Sequence, residues 1–464
     1  MRRFSKNFLF IIGSDITRRV LGFFTIAYLA RKVGVEGFGV LNIGFTVLSY
    51  ALMMSSVGLS SFGARAVARG ESSGLVNTVI TIRSITSFGA FIIVSLIAVA
   101  FIPNDTMAIL MVVFCISLFP NVFLLDWYFQ GKEKMGIIGT GRTISAALYL
   151  GFILLFVHTA SDLIWVAVAA VIGDVTSAVI VWRYYRLQES NQRITLSLLG
   201  WKSLIAQALP LGGGSILGAV GINLPIIVIG IILGSSDAGI YSAASKLIFF
   251  LLMIDRVLAT LLLPASSRLN AQSPELFSSR LRLAIKWILI TTLPICIGGV
   301  IISDKLIPIV FGVQYFEAVN VFKILIWYFL FTMLNTIYTS GLIAVGREKT
   351  YAVVMFLSLL LNAVSIIACT ILFGIAGSAA AIVVSEAVTL FIMRNRLEQV
   401  MHIPAPGAIF QIIISSVIMG GVLTFLPPIN VFVSILIGAI IYTGLLFVTK
   451  AIRYAEIAGL LEHI

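Results

Sequence analysis

Charge is what this chain has least of. Of 464 residues, 11% are Asp, Glu, Lys or Arg, under half of the roughly 25% usual in soluble globular proteins. With 60% hydrophobic residues and a mean hydropathy of +1.10, the chain cannot clothe soluble domains in polar surface. The class is therefore a polytopic membrane protein. Histidine is scarcer still: His158, His402 and His463 stand far apart, which excludes a histidine-based metal site. The three cysteines, Cys115, Cys296 and Cys369, lie singly in apolar segments and show no metal-ligand spacing, so they read as small buried hydrophobes. No Ser/His/Asp set or His-Glu metal motif appears, and Gly212–Gly214 lacks the Lys-Ser/Thr of a phosphate-binding loop. Neither catalysis nor ATP hydrolysis by this chain is supported by its motifs. Work on a solute would draw on an ion gradient, the membrane potential or substrate flux. The net charge of +12 comes without a basic run or an RNA-binding signature, so nucleic acid is not the expected partner.

What is present is a series of apolar segments of the length a bilayer requires, about 20 residues. They fall near 8–30, 38–59, 79–102, 107–129, 136–157 and 163–184, then after a polar linker near 204–233, 239–264, 284–303, 318–344, 350–373 and 375–393. After Arg394–Pro406 two more follow, near 408–427 and 430–449. Only helices and closed barrels satisfy backbone groups in lipid, and these runs are too long for barrel strands. The expectation is an all-α protein of about fourteen transmembrane helices. The basic start MRRFSKNFLF imitates a signal peptide, but Asp15, Arg18 and Arg19 interrupt its apolar run and no cleavage site follows. It reads as a retained first span.

Loop charge sets the orientation. With the N-terminus inside, the inner segments hold Arg2, Arg3 and Lys6, then Arg65 and Arg69, Lys132 and Lys134, Arg186 and Arg193, and onward to Lys450 and Arg453. The outer loops hold Arg31, Lys32, Lys305 and little else. This bias predicts cytoplasmic N- and C-termini and an even number of spans.

A repeat is visible as well. Residues 26–45 resemble 227–246, and Gln130-Gly-Lys-Glu-Lys134 echoes Val345-Gly-Arg-Glu-Lys349 in the same order. An offset of six spans keeps both halves the same way up. That predicts two six-helix bundles related by a pseudo-two-fold along the membrane normal, plus two C-terminal helices. The expected division is an N-terminal bundle over 1–186, a cytoplasmic linker over 187–203, a C-terminal bundle over 204–394, and two additional helices with a cytoplasmic tail over 395–464.

The charges inside spans carry the chemistry. One charge at the bilayer centre costs roughly 2.5–3.5 kcal/mol on insertion scales, yet Asp15, Arg18 and Arg19 share little more than one helical turn. Asp15 reaches either arginine at i, i+3 or i, i+4. This face is expected to line a wet, cationic cavity; a structural pair that fixes helix packing is the plain alternative. Lys246 and Arg256, ten residues apart in the eighth span, form a second cationic pair about 80° apart around a helix, or snorkel toward an interface. Arg65 and Arg69 follow the second span, as gate ligands or as ordinary cytoplasmic loop charge. Arg83 and Arg142, one turn inside their spans, extend the basic cavity or snorkel. Asp126, Asp174 and Glu386 are acids within spans, able to take a proton or sodium ion, or to pair with an arginine. Asp126, next to Trp127 and Tyr128, sits closest to an interface. Asp255 is a structural neighbour of Arg256 or an ion site. Pro210, Leu211–Gly214 and Pro225 let the seventh helix bend.

Beyond these readings, an ordered set of strings resembles the Wzx-type polysaccharide-export flippases of the MOP superfamily. In the first half they are Arg19-Val-Leu-Gly22, Leu29-Ala-Arg-Lys-Val-Gly34, Gly37-Phe-Gly39, Val57-Gly-Leu59 and Ala64-Arg-Ala-Val-Ala-Arg69. In the second half they are Gly239-Ile-Tyr-Ser-Ala-Ala-Ser-Lys-Leu247, Pro264, Phe311-Gly312, Ala344-Val-Gly-Arg347, and Gly374-Ile-Ala-Gly-Ser-Ala-Ala380 with Glu386. The resemblance implies a multi-pass protein of the inner, cytoplasmic membrane. Such proteins move undecaprenyl-pyrophosphate-linked oligosaccharide from the inner to the outer leaflet by alternating access, for cell-surface polysaccharide. It implies membrane lipids, a polysaccharide polymerase and a chain-length regulator as partners. No cofactor is expected; a coupling ion, H+ or Na+, is left open. It also favours Arg19 over Arg18 as the phosphate ligand; the charges themselves offer Lys246, Arg256 and Arg65 as further anion ligands and Asp15, Asp174, Asp255 and Glu386 as coupling acids or charge partners. Asn223 and Pro225 stand in the seventh span where related chains lead one to expect an acid, which weakens any ion site there. The competing reading is a MATE-like ion-coupled antiporter of drugs and organic cations; a membrane polymerase or ligase is disfavoured by the short outer loops.

Overall fold

The computed structural model describes the backbone of residues 2–71, 74–102, 104–189, 195–198, 200–404, 406–427 and 430–452, and within these the side chains of all but 2–16, 211–219, 261, 264, 271 and 272. Among the described residues every regular element is helical. Ten helical runs are long and apolar enough to cross a bilayer. Two of them, α1 (Arg2–Ser56) and the later run Glu348–Glu398, each hold two spans, because Gly34 (φ 73°, ψ 180°) and Gly374 (φ 63°, ψ −148°) leave helical geometry midway. A side chain at such a positive φ would be strained. The apolar helices Trp201–Ile232 and Ile409–Phe425 then bring the crossings among the described residues to the expected fourteen. Large apolar side chains face outward: Phe101, Leu372 and Phe425 are 79%, 70% and 90% exposed. In water such a surface would associate; against acyl chains it is the solvated state.

The chain forms two compact units, Met1–Gly239 and Ile240–Ile464. The first contains α1, α2 (Leu59–Ala68), α3 (Leu75–Phe101), α4 (Asp105–Cys115), α5 (Leu118–Val122), α6 (Asp126–Gly131), α7 (Met135–Phe156), α8 (Leu163–Gln188), α9 (Trp201–Ile232) and the first turn of α10 (Ser235–Leu251). The division falls at Gly239, so α9 packs with the first unit; the Tyr50 hydroxyl of α1 donates to the Val220 carbonyl at 3.1 Å. The polar linker is partly docked on α3: the Ser197 N–H donates to Thr81 Oγ1 at 3.0 Å, and Asn77 Nδ2 to Thr195 Oγ1 at 3.2 Å.

The fourth crossing is not one helix. Pro120 has no N–H to give the Ile116 carbonyl, so the chain tightens to i→i−3 bonds: Phe119 N–H to Ile116 O at 3.1 Å and Phe123 N–H to Pro120 O at 3.1 Å. Helix geometry lapses over 123–125 and resumes at Asp126, in the first turn of α6. Irregular backbone at membrane depth is tolerated where it lines a cavity. Behind the break lies an apolar core in which Trp127, Tyr128 and Phe129 are 2% exposed or less. Gly63 of α2 makes room for it: a Cβ there would come within 2.4 Å of the Trp127 ring.

The repeat has a structural counterpart. Gly34 and Gly234, 200 residues apart, both take positive φ. Gly39 and Gly239 cross reciprocally: a Cβ on Gly39 would lie 1.7 Å from the Ser235 carbonyl oxygen, and one on Gly239 would lie 2.1 Å from that of Val35. The second string is shared less faithfully. Gly346 supplies the left-handed residue that ends its helix, but in the first half Glu133 takes that conformation, while Gly131 packs against the Ala64 carbonyl.

The second unit contains the rest of α10, then α11 (Met253–Gln272), α12 (Pro274–Phe311), α13 (Ala318–Ala344), α14 (Glu348–Glu398), α15 (Ile409–Phe425) and α16 (Val431–Val448). The last two dock on α12 through a cluster of Ile290, Ile412, Met419, Tyr442 and Leu446. The Tyr442 hydroxyl donates to the Ile290 carbonyl at 2.8 Å, satisfying a polar group that apolar surroundings would otherwise penalise.

Candidate substrate cavity

The broken fourth crossing opens onto a cavity of about 650 Å³ inside the first unit. Arg18 reaches its wall from α1, Arg83 from α3, Asp126 from α6, Arg142 from α7 and Asp174 from α8. Three guanidinium groups thus meet two carboxyl groups around one space. Asn121, Gln130, Ser145, Tyr149 and Ser177 supply neutral polar groups between them. A second hollow of about 310 Å³ adjoins it, shares Phe45, Leu48 and Leu52, and is otherwise lined by Ser49, Met53 and Ser56 of α1. A polar chamber with an apolar annex suits an amphiphile.

Arg142 donates to Asp126 Oδ2 from both Nε (3.1 Å) and Nη2 (2.6 Å). Asp126 Oδ1 is buried and accepts nothing. Arg83 is 6% exposed. Its Nη1 donates weakly to the Leu124 carbonyl at 3.4 Å, a group freed by the break, and its Nε is buried without an acceptor. The Asp126 carboxylate is the acid that acts on it. Asp174 lies beside Ser117 and Asn121, and Asn121 Nδ2 is oriented by donating to the Ser117 carbonyl at 2.8 Å. Across the chamber, Gly173 lets α7 approach α8 so closely that Ser145 Oγ donates to its carbonyl at 2.7 Å.

Of the residues singled out from sequence, Arg18 and Asp174 lie on this wall, and so do Arg83 and Arg142. Arg18, rather than Arg19, is the α1 arginine that lines the cavity. The side chains of Asp15 and of Leu211–Gly214 lie outside the described residues. Arg65 is exposed in the last turn of α2. In the second unit, Lys246 sits in α10 and Arg256 in α11, on either side of a one-residue lapse at Leu252 (ψ −3°). Arg256 is exposed.

The acids of the second unit converge on α13. Asn335 Nδ2 donates to Glu386 Oε1 at 2.6 Å and to the Glu386 backbone carbonyl at 3.2 Å, and Thr336 Oγ1 donates to Asp255 Oδ1 at 2.6 Å. The Asp255 carboxylate acts on Glu386 through space, and Asn335 Oδ1 is buried with no donor. Among the described residues no three of His, Cys, Asp and Glu gather as a metal site.

Sequence reasoning left the Asp126–Arg142 pair unjoined, with Asp126 near an interface and Arg142 open to snorkelling. The available signal was their position: opposite charges sixteen residues apart, each set into adjacent apolar segments that must run antiparallel across a short turn.

Residues 4–270 match the family described as polysaccharide biosynthesis protein. The chain belongs to that family. A putative O-antigen transporter of Shigella flexneri is 24% identical over 346 residues, covering 71% of this chain and 82% of that protein. A putative O-antigen transporter of Escherichia coli K12 is 23% identical over 423 residues, covering 84% and 97%. The structure of a lipid II flippase in its inward closed conformation superposes with a TM-score of 0.80 at 15% identity, over 97% of this chain and all of that one; at that identity the likeness is one of fold. The resemblance read from the ordered strings is borne out, and so is a polytopic, MOP-type helical fold. The family and these relatives are transporters and flippases, not enzymes. This member of the family is a multi-pass membrane protein.

Proposed function

We propose that this protein is a flippase that moves undecaprenyl-pyrophosphate-linked oligosaccharide from the inner to the outer leaflet by alternating access through a cationic cavity. The setting is the cytoplasmic membrane, with both chain termini on the cytoplasmic side. The observation that carries the reading is the convergence of Arg18, Arg83 and Arg142 on one membrane-embedded chamber in a chain of the polysaccharide biosynthesis family. Guanidinium groups bind carboxylate and phosphate bidentately and stay charged, and an anion crossing hydrocarbon needs such partners. An exporter of organic cations would favour an acid-rich wall; this wall has more cationic groups than acidic ones. Arg18 with Arg19 on α1, Arg65 at the end of α2, and Lys246 and Arg256 beyond are the anion ligands of the cycle. Asp255 and Glu386, held by the neighbouring Thr336 and Asn335 respectively, take up the coupling ion, H+ or Na+, with Asp15 and Asp174 as charge partners. A ligand shifts a transporter between its states only through differential affinity, and a Glu386 carboxyl that feels the charge on Asp255 provides it. The product passes to a polysaccharide polymerase and its chain-length regulator.

The test is complementation. In cells that rely on this chain for surface polysaccharide, Arg18→Ala, Arg19→Ala and Lys246→Ala abolish the polymer while membrane levels of the protein stay unchanged. Arg19→Lys retains part of the function if charge alone matters. Normal export by all three alanine variants overturns the cationic mechanism.

A further inference from the structure

The polar groups around the chamber that lack partners are of two opposite kinds. Arg83 is a buried cation whose Nε–H has no acceptor, and the neighbouring Trp127 indole N–H is likewise buried without one. Asp126 Oδ1 is a buried acceptor without a donor, and Ser177, 4% exposed, has a hydroxyl without a partner. All four residues line the same cavity. Buried polar groups without a partner within the protein mark what a ligand can supply.

Three ligands can be weighed against this set. A diphosphate offers acceptors only; it answers Arg83 and Trp127 but meets the Asp126 and Asp174 carboxyls with like charge and gives Oδ1 no donor. A neutral sugar ring offers hydroxyl donors for Asp126 but brings no charged acceptor to the orphaned Arg83 Nε–H. A sugar ring bearing a carboxylate answers both. Its carboxylate takes Arg83, with Arg142 beside it, and its ring hydroxyls donate to Asp126 Oδ1 and exchange hydrogen bonds with Ser177. We infer that this chamber is the subsite for an acidic sugar of the cargo, and that Arg83 is its specificity-determining cation. The inference rests on the flippase reading for the identity of the cargo and on the cavity alone for the chemistry of the sugar. The phosphates of that cargo are then held outside this chamber, by Arg19, Arg65, Lys246 and Arg256.

Two measurements on the purified full-length protein decide it. In the first, methyl glucuronide, methyl glucoside and inorganic pyrophosphate are titrated against the protein in detergent micelles, and binding is read by saturation-transfer NMR and by thermal shift. Methyl glucuronide binds at least roughly tenfold more tightly than methyl glucoside, the size expected of a charge-assisted hydrogen bond. Arg83→Gln erases that difference and Arg83→Lys keeps part of it. Arg142→Gln, at a half-exposed position, reduces the difference too, and so covers the case in which Arg83→Gln fails to fold. Pyrophosphate affinity is unmoved by Arg83→Gln. Equal binding of the two glycosides, absence of binding by all three probes, or an Arg83-dependent affinity for pyrophosphate alone each overturns the inference. In the second, the protein in liposomes is given synthetic polyprenyl-pyrophosphate disaccharides ending in glucose or in glucuronic acid. Faster flipping of the acidic cargo, lost in Arg83→Gln, is the expected result. Equal flipping of both overturns the acidic-sugar subsite and leaves the flippase reading intact. Flipping of neither overturns the flippase reading, and the soluble-probe titration then decides the subsite by itself.

Discussion

Removing the Asp126 carboxylate should harm the fold far more than removing the arginine it grips. In Asp126→Ala, Arg83 stays 6% exposed, with a 3.4 Å contact to the Leu124 carbonyl and an orphaned Nε, and the acid that offsets its charge is gone. An uncompensated buried charge costs about 3–5 kcal/mol. The open chamber lets water relieve part of that, so the lower end, about 3 kcal/mol, is expected. This is on the order of a hundredfold in the folded-to-unfolded ratio. Arg142→Ala differs. Its side chain is 46% exposed, a situation in which ion pairs are worth under about 1 kcal/mol, and Asp126 retains Arg83 as a neighbour. Arg83→Met removes a buried cation whose own hydrogen bonds are incomplete and leaves the Asp126–Arg142 pair standing, so it should be neutral or mildly stabilising. Equilibrium unfolding in mixed micelles, followed by tryptophan fluorescence, ranks the three. The double variant Asp126→Ala with Arg83→Met should recover most of the loss. If Asp126→Ala and Arg142→Ala cost the same, or the double variant is no better than Asp126→Ala, the charge-balance argument for this cavity fails.

Other perturbations probe other parts of the molecule. Gly39→Ala and Gly239→Ala each place a Cβ within 1.7 or 2.1 Å of a backbone oxygen; both should lower the yield of monodisperse protein in size-exclusion chromatography, whereas Gly22→Ala and Gly151→Ala, with open space around them, should match the parent. Glu386→Gln keeps the shape and removes the charge facing Asn335; flipping in vesicles should lose its response to an imposed ion gradient, and a variant that still responds places the coupling elsewhere. Tyr442→Phe frees the Ile290 carbonyl and should cost about 0.5–1.5 kcal/mol in micelle unfolding; no loss at all would mean that α16 is held by apolar contact alone.

The crossings were legible because their cause is local: a run of about 20 apolar residues can do little else than span. Gly34, Gly39, Gly239 and Gly374 were visible in the family strings, but the tight approach of Gly39 to Gly239 depends on how the helices pack and shows only in the structure. The cavity was legible only in its currency, buried charge. Arg18 and Arg19 are adjacent and about 100° apart around α1, so one of them faces the chamber and the other does not; the phase is set by the helices packed around α1. String matching favoured Arg19, while packing puts Arg18 on the wall. The fourth span looked continuous because the break at Pro120 lies inside an unbroken apolar run, and only the backbone path shows Leu124 turning its carbonyl toward Arg83. Asp126 and Arg142 were each assigned a separate fate because their meeting depends on how two neighbouring helices rotate against each other.

The separation of sixteen residues from Asp126 to Arg142 also bears on how the chain enters the membrane. Each of these charges alone would resist insertion by roughly 2.5–3.5 kcal/mol at mid-bilayer. They belong to consecutive crossings joined by the short turn at Gly131–Lys134, so the ion pair closes within one helical hairpin as soon as the second arm has been synthesised. Arg83 belongs to a crossing made earlier and meets its acid only when that hairpin arrives. The order of synthesis therefore puts the cation into the bilayer first and its neutralising partner second, and the third crossing is provisional until the fourth and fifth have joined it.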